Sequence, residues 1–357
     1  MDWIGRGILD SIDKALLSVI QKGFPLEPRP YEALGQNLSM SESDVIARLN
    51  DLRKARIVRQ ISAIFDTRAL GYQSTLVAAK VRFEHLSEAA QVINRHPGVS
   101  HNYERDNDFN LWFTIAVPPD TDLKRSVEVL GNQAGATSIR ILPTLQLFKI
   151  GVTLDVEGAQ EVTGKSEPEY TQSNREGATT PFTAEDEHVV RLMQEDLAAV
   201  PFPFDPAARE LGVSTEELLR RTADLKERGY LRRFAAILYH RKAGFKANCM
   251  VVWQIPEDRQ VEAGERMGRF SAVSHCYLRP VYKDWPYSLF TMIHGRTRQD
   301  CDAVIDAISA EVSPEDVAKI YSVREFKKTR VRYFSPEFEE WDRRNLTPAA
   351  QPVGITA

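Results

Sequence analysis

Between Ser274 and Arg296 the chain reads SHCYLRPVYKDWPYSLFTMIHGR, which holds two histidines, His275 and His294, three basic side chains, Arg279, Lys283 and Arg296, and several aromatics, Tyr277, Trp285 and Tyr287 among them. Histidine changes charge near neutral pH, so either imidazole can give or take a proton. The planar fork of arginine pairs with carboxylates, and aromatic rings wall flat apolar ligands. Each residue type also has a plainer use: a histidine that bonds neighbouring backbone or ends a strand, an arginine that solvates a surface, an aromatic that fills a core.

An earlier stretch, Ser100–Pro118 (SHNYERDNDFNLWFTIAVP), matches this one piece by piece. His101, Tyr103 and Arg105 fall on His275, Tyr277 and Arg279 at an offset of 275 − 101 = 174, and Leu111–Thr114 fall on Ser288–Thr291 at 291 − 114 = 177, after an insertion around Val281–Trp285. Upstream, Arg59 matches Arg232 at 232 − 59 = 173, an offset shared by Ser41 with Ser214 and by Gly71 with Gly244. An offset that drifts only at loops marks a tandem duplication. On this matching Val117 stands where the second half has His294, so the halves are not two equal sites. His101 then either supports the other half or belongs to a pocket of its own.

The elements that must position these residues are legible in outline. Ile12–Gln21 has helical apolar spacing, Pro30–Leu38 opens with a helix-favouring proline, and Ser41–Ala55 starts with Ser41 as cap and Asp44 three residues on, a weak capping box. Arg59–Phe65 reads as a wing strand. The order that follows is strand Ser74–Phe83, helix Ser87–Arg95, strands Val99–Tyr103 and Leu111–Val117, helix Asp122–Asn132 and strand Ile139–Phe148. That is the ferredoxin-like βαββαβ plan. Asp186–Leu238 and Val251–Phe326 repeat both parts, which predicts an α+β tandem duplication, each half a winged helix-turn-helix followed by a ferredoxin-like domain. The expected divisions are 1–66 and 67–154 for the first pair, a flexible linker 155–181, 182–240 and 241–334 for the second pair, and a tail 335–357 in which Phe338 and Trp341 can dock.

With 357 residues the chain suits about two to four domains. Its formal net charge of −4 lacks the basic footprint of a protein that lives on phosphate backbones. No stretch approaches the roughly 18 apolar residues of a membrane span, and the start MDWIGRGILDSIDK lacks a signal-peptide layout, so a cytoplasmic protein is expected. Cys249, Cys276 and Cys301 are odd in number and without CxxC spacing, which points to neither a disulfide framework nor a thiolate metal site. Cys276 adjoins His275, but its counterpart is Asn102, which argues against a thiol nucleophile.

A winged helix followed by a ferredoxin-like domain, with the opening LDSIDKALLSVIQ, resembles the Lrp/AsnC transcription regulators. The stretches HNYERDNDFNLWFT and HCYLRP…WPYSLFTMIHGR resemble a narrower group, the two subunit types of siroheme decarboxylase, Lrp-like proteins of heme d1 synthesis and of the alternative heme route. One subunit type falls in each half, so nearly the whole chain resembles the fused form. The resemblance implies loss of the two acetate carboxyls on rings C and D of siroheme, giving didecarboxysiroheme. Iron arrives with the substrate, so no further metal or organic cofactor is implied.

Such a reaction needs a proton for the carbon that loses CO2, cations for the remaining carboxylates and flat walls for the macrocycle. The expected proton donors are His275, His294 and His101, one donating while another orients the carboxylate or approaches the iron. Arg279, Arg105, Arg296, Lys283 and Arg232 are the expected carboxylate partners, with Arg298 and Arg233 as further candidates; Tyr277, Trp285, Tyr287 and Trp112 are candidate walls. His85, His96, His188 and His240 have no histidine counterpart and read as structural or exposed. The expected partner is siroheme, with no membrane and no nucleic acid, in an internal pseudo-dimer whose chains can pair further. Two alternatives stay open: an Lrp/AsnC-type regulator binding DNA and a small effector or heme, and a heme carrier without chemistry. Against the regulator, the third helices open with Glu42 and Asp44 and with Glu216 and Glu217, carboxylates that repel phosphate.

Overall fold

The computed structural model describes residues 9–151, 163–168, 170–175, 181–239 and 247–346. Most of the expected linker, His240, Gly244 and the tail after residue 346 lie outside them.

In chain order the first winged helix comprises α1 (Ser11–Lys22), α2 (Pro30–Leu38), α3 (Glu42–Lys54) and β1 (Val58–Phe65). Next come β2 (Gln73–Lys80), α4 (Leu86–Asn94), β3 (Val99–Arg105), β4 (Leu111–Val117), α5 (Leu123–Gln133), β5 (Ser138–Pro143) and β6 (Gln146–Ile150). The short α6 (Gln172–Arg175) precedes the second winged helix, α7 (Ala184–Met193), α8 (Asp205–Leu211), α9 (Thr215–Glu227) and β7 (Leu231–Leu238). Then follow β8 (Ala247–Gln254), α10 (Gln260–Gly268), β9 (Val273–Leu278), β10 (Leu289–Gly295), α11 (Arg298–Val312), β11 (Asp316–Lys328) and α12 (Glu337–Asn345). Among the described residues no helix is long and apolar enough to cross a membrane.

Caps set several of these starts. Ser41 accepts the N–H of Asp44 at 3.1 Å, but the Asp44 carboxylate takes the Ser41 hydroxyl at 2.6 Å instead of returning to the cap's own N–H, so the expected box is half made. Complete boxes open α7, from Thr183 and Asp186, and α11, from Thr297 and Asp300.

The chain divides into two compact units, residues 1–70 with 144–319 and residues 71–143 with 320–357. The first unit holds both winged helices. Their wings β1 and β7 pair antiparallel, Ile61 opposite Ala236, and each opening helix, α1 or α7, packs on the wing of the other copy. The arginines of the third helices are committed to carboxylates: Arg48 to Asp10 and Asp13, Arg53 to Asp196, and Arg220 and Arg221 to Glu217. Hydrogen bonds from Arg220 and Arg221 hold Glu217 down to about 2.

Also in this unit is the sheet β8-β10-β9-β6, beside whose first strand β11 begins. Its first three strands follow the ferredoxin-like plan, but β6 comes from the first half of the chain and pairs antiparallel with β9, Leu147 opposite Tyr277. The expected single strand Ile139–Phe148 is thus broken at Thr144–Leu145, with β5 in the second unit and β6 in the first. Helix α10 approaches β6 so closely that a Cβ at Gly264 would lie 2.2 Å from the Phe148 ring. Only glycine fits there.

The second unit carries β5-β2-β4-β3 and, beside β3, the later part of β11, Lys328 opposite His101. Helices α4 and α5 cover its core, in which Val77, Leu86, Ile93, Phe113 and Leu130 meet Trp341 of α12. His96 is fully buried there, its Nδ1 accepting the Gly98 N–H at 2.9 Å.

Strand pairing corrects one part of the repeat. His101 lies opposite Thr114 and His275 opposite Met292, an offset of 292 − 114 = 178, so Leu111–Thr114 correspond to Leu289–Met292. Ala116, not Val117, therefore stands at the position of His294. The extra residue hides in the turn between β9 and β10, where identity is low, yet a slip of one residue reverses the face of every side chain.

Candidate active site

Alternation along β9 puts His275, Tyr277 and Arg279 on one face, and register adds Met292 and Phe290, which lie opposite the first two. His294 follows Met292 by two and shares the face, with Asn248 opposite it on β8. Cys276 points the other way, to the helices; its thiol contacts the Gly264 carbonyl of α10 at 3.5 Å, and burial pushes its pKa up. That is the environment of a packed thiol, not a nucleophile.

The two histidines are not cross-strand neighbours, since His275 lies opposite Met292 and His294 opposite Asn248. They meet through a bulge. Pairing passes from Met292–His275 to Ile293–Val273, leaving Ser274 as the extra residue. Its hydroxyl lies 2.8 Å from His275 Nδ1 and 2.7 Å from His294 Nε2, while His294 Nδ1 lies 2.6 Å from Asn248 Oδ1. Sequence reasoning passed over Ser274 and Asn248. A signal for the serine was present, since a Ser-His pair opens both repeated stretches.

Arg279 is 7% exposed and its guanidinium carbon stands 4.7 Å from the Tyr277 ring centre and 5.5 Å from that of Phe290. Tyr277 in turn lies 6.0 Å from the His275 ring. The candidate proton donor, aromatic wall and carboxylate partner therefore form a continuous row. Arg232 reaches the same strand edge from β7: its Nη2 donates to the carbonyl of Ile150, the β6 residue opposite His275, at 3.1 Å. Its plane covers Tyr170 at 4.4 Å, and its Nε is buried without a hydrogen-bond partner among the described residues.

Other sequence candidates sit apart from this row. Trp285 is buried in the turn, and half-buried Tyr287 packs against it at 5.2 Å with its hydroxyl donating to Asp316 at 2.7 Å. Burial and Asp316 push Tyr287 up to about 12. Lys283 is exposed in that turn, and Arg296 and Arg298 are exposed at the start of α11. Arg233 is half-buried on β7. His85 and His188 are exposed.

The second unit carries a reduced copy. Ser100 again occupies a bulge, 3.0 Å from His101 Nδ1, but its other neighbour is the Thr114 hydroxyl at 3.1 Å. Arg105, 6% exposed, stands 5.0 Å from the Tyr103 ring centre and donates to the Ile320 carbonyl at 3.3 Å. Trp112 is buried and donates to the Phe109 carbonyl, which makes it packing rather than wall. Among the described residues no group of three or more His, Cys, Asp or Glu side chains is placed to hold a metal ion.

Comparison with known proteins matches these parts twice over. A model of the AsnC-like ligand binding domain fits residues 69–149 and 242–327, and one of the siroheme decarboxylase NirDL-like HTH domain fits residues 13–59 and 186–232. The siroheme decarboxylase of Hydrogenobacter thermophilus is 42% identical over 327 residues, 91% of this chain and 96% of that protein. The siroheme decarboxylase beta subunit of Methanosarcina barkeri is 43% identical over 147 residues, 41% of this chain but 97% of that subunit, as expected where a separate subunit corresponds to half of a fused chain. The crystal structure of the siroheme decarboxylase NirDL in complex with an iron-uroporphyrin III analogue superposes with a TM-score of 0.70 at 36% identity, covering 94% of this chain and 98% of that one. With its duplicated winged helices, its ferredoxin-like sheets and this likeness along nearly its full length, the chain belongs to the siroheme decarboxylase family.

Proposed function

We propose that the chain decarboxylates siroheme, removing the acetate carboxyls of rings C and D to give didecarboxysiroheme on the way to heme d1 or heme. The observation that carries this reading is the row His275–Tyr277–Arg279 beside His294 on one sheet face, in a chain whose relative binds an iron-uroporphyrin analogue. Each event breaks the bond between the methylene carbon and its carboxylate. The electron pair stays on that carbon, a proton from His275 replaces CO2, and an acetate arm becomes a methyl group. Arg279 and Arg232, both in the first unit, hold the carboxylates that stay. The substrate brings the iron. A regulator reading loses ground because the arginines of α3 and α9 are paired with carboxylates rather than offered to phosphate.

Anaerobic incubation of the protein with siroheme, followed by mass spectrometry, should show loss of two CO2. Tight binding without any mass change would overturn the reading in favour of a sensor or carrier. Arg279→Ala should weaken siroheme binding by about 1.5–3 kcal/mol, the usual worth of a hydrogen bond to a charged group. An absorbance titration checks this, and Arg279→Lys should recover only part because the ammonium lacks the planar fork. Unaltered affinity in Arg279→Ala would make it a packing residue.

A further inference from the structure

We infer that Ser274 is a positioning residue that joins His275 and His294 into one directional hydrogen-bond chain and so sets which nitrogen of His275 carries the exchangeable proton. The inference rests on His275 acting as proton donor, as proposed above.

The donor and acceptor inventory of the cluster leaves little freedom. A side-chain amide oxygen only accepts, so at 2.6 Å from Asn248 Oδ1 the His294 Nδ1 must carry hydrogen. A neutral His294 then has a bare Nε2, which at 2.7 Å accepts the single hydroxyl proton of Ser274. The Met292 carbonyl, at 3.3 Å, is the longer of the hydroxyl's acceptors. Having given its proton to His294, the Ser274 oxygen accepts at 2.8 Å from His275 Nδ1. His275 is thereby held as the Nδ1–H tautomer, and Nε2 is the nitrogen outside this chain. This is the general logic of a third group that fixes the tautomer of a working imidazole.

The consequence for proton transfer follows directly. Protonating Nε2 makes His275 an imidazolium whose Nδ1–H already points at an oxygen acceptor. Giving the Nε2 proton to the substrate methylene returns the neutral ring with the same tautomer, and the next proton enters at the same atom from solvent. No ring flip intervenes between the two decarboxylations. The serine is 5% exposed and sits in a bulge, so the hydroxyl is aimed by backbone geometry rather than by chance rotation. The second unit retains the same bulge and Ser100–His101 contact, but Thr114 replaces the second imidazole, so the chain there ends on a hydroxyl.

The test uses the full-length protein with 15N-labelled histidine. Ring-nitrogen spectra of the wild type should show both His275 and His294 as Nδ1–H tautomers. Ser274→Ala should release the His275 tautomer, leave that of His294 held by Asn248, and lower kcat roughly tenfold to a hundredfold, the loss typical when the partner orienting a functional histidine is removed, with siroheme binding unchanged. Ser274→Thr, which keeps a hydroxyl, should recover the His275 tautomer and most of the rate. His275 held as the Nε2–H tautomer in the wild type would overturn the inference. So would a Ser274→Ala protein with unchanged ring spectra, or one that loses binding and rate together and is not rescued by threonine. A wild-type protein that binds siroheme but releases no CO2 would instead sink the proposed reaction, and the spectra would still report whether Ser274 bridges the rings.

Discussion

His275→Ala is expected to lower kcat by roughly a hundredfold to ten-thousandfold, the usual contribution of a positioned general acid, while siroheme binds within a few-fold of the wild type. His275 is singled out from His294 by its contacts. His294 is engaged at both nitrogens, Nδ1 by Asn248 and Nε2 by Ser274, so it can deliver a proton to substrate only by breaking one of them. His275 meets the cluster through Nδ1, and the inferred Nδ1–H tautomer makes Nε2 the nitrogen that would deliver the proton. The row running from it through Tyr277 to Arg279 supplies a wall and a cation on the same face. Binding should survive because, on the proposed reading, arginines and not the imidazole hold the carboxylates. Single-turnover mixing with siroheme, read by absorbance for binding and by mass spectrometry for CO2 loss, separates the two. His294→Ala should show the smaller rate loss of an orienting group. A His275→Ala protein with undiminished kcat would remove this residue from the reaction and transfer the role to His294 or His101.

How much of this was legible in the sequence depends on the range of the interaction responsible. Helix starts were readable because caps act within three residues: Ser41 bonds Asp44 as its spacing indicates. The ferredoxin-like order was readable because strands alternate locally. The exchange of β6 was not, since Ile139–Phe148 continues without a break in apolar pattern across Thr144, and what draws Leu147 to Tyr277 is a partner well over a hundred residues away. The one-residue slip in the repeat had the same origin. Identity in the turn after Arg279 is too low to place the gap, and only cross-strand register puts Ala116 rather than Val117 opposite the role of His294.

Of the candidate site, residue type and repetition point to the histidines and Arg279, and the fold brings His275, His294, Tyr277 and Arg279 together. Trp285, Tyr287 and Trp112 were chosen for aromaticity alone, and here the commoner fate of large apolar side chains prevailed: Trp285 and Trp112 are buried, and Tyr287 packs on Trp285 with its hydroxyl tied to Asp316. Ser274 shows the reverse error. A serine has no charge or bulk to attract notice, and its importance arises from a bulge that periodicity cannot reveal. What did carry information was its recurrence with histidine in both halves, because a small polar residue repeated beside a titratable one is more economically explained by a contact between them.

Trp341→Ala is expected to destabilise the second unit by about 3–5 kcal/mol, the range for truncating a buried tryptophan to alanine. Trp341 is 8% exposed within the apolar core beneath α4 and α5, and its ring stands 4.2 Å from that of His96 in an edge-on contact. The loss should therefore have a second signature. Burial, assisted by the nearby charge of Lys327, lowers the His96 pKa from 6.5 to about 3. Below pH 6.5 the unfolded chain takes up a proton that the folded one refuses, so stability present above that value falls as the pH drops toward 3. The slope from this group is at most about 1.4 kcal/mol per pH unit. Removing the indole lets water reach the imidazole, raises its folded pKa toward the unfolded one and flattens that slope. Denaturant unfolding followed between pH 7 and pH 4, with the wild type alongside, measures both effects at once. A Trp341→Ala protein as stable as the wild type, with the same pH dependence, would place α12 outside the core; a large loss with an unchanged slope would show that His96 stays dry without it, shielded by its other neighbours, Phe338 among them.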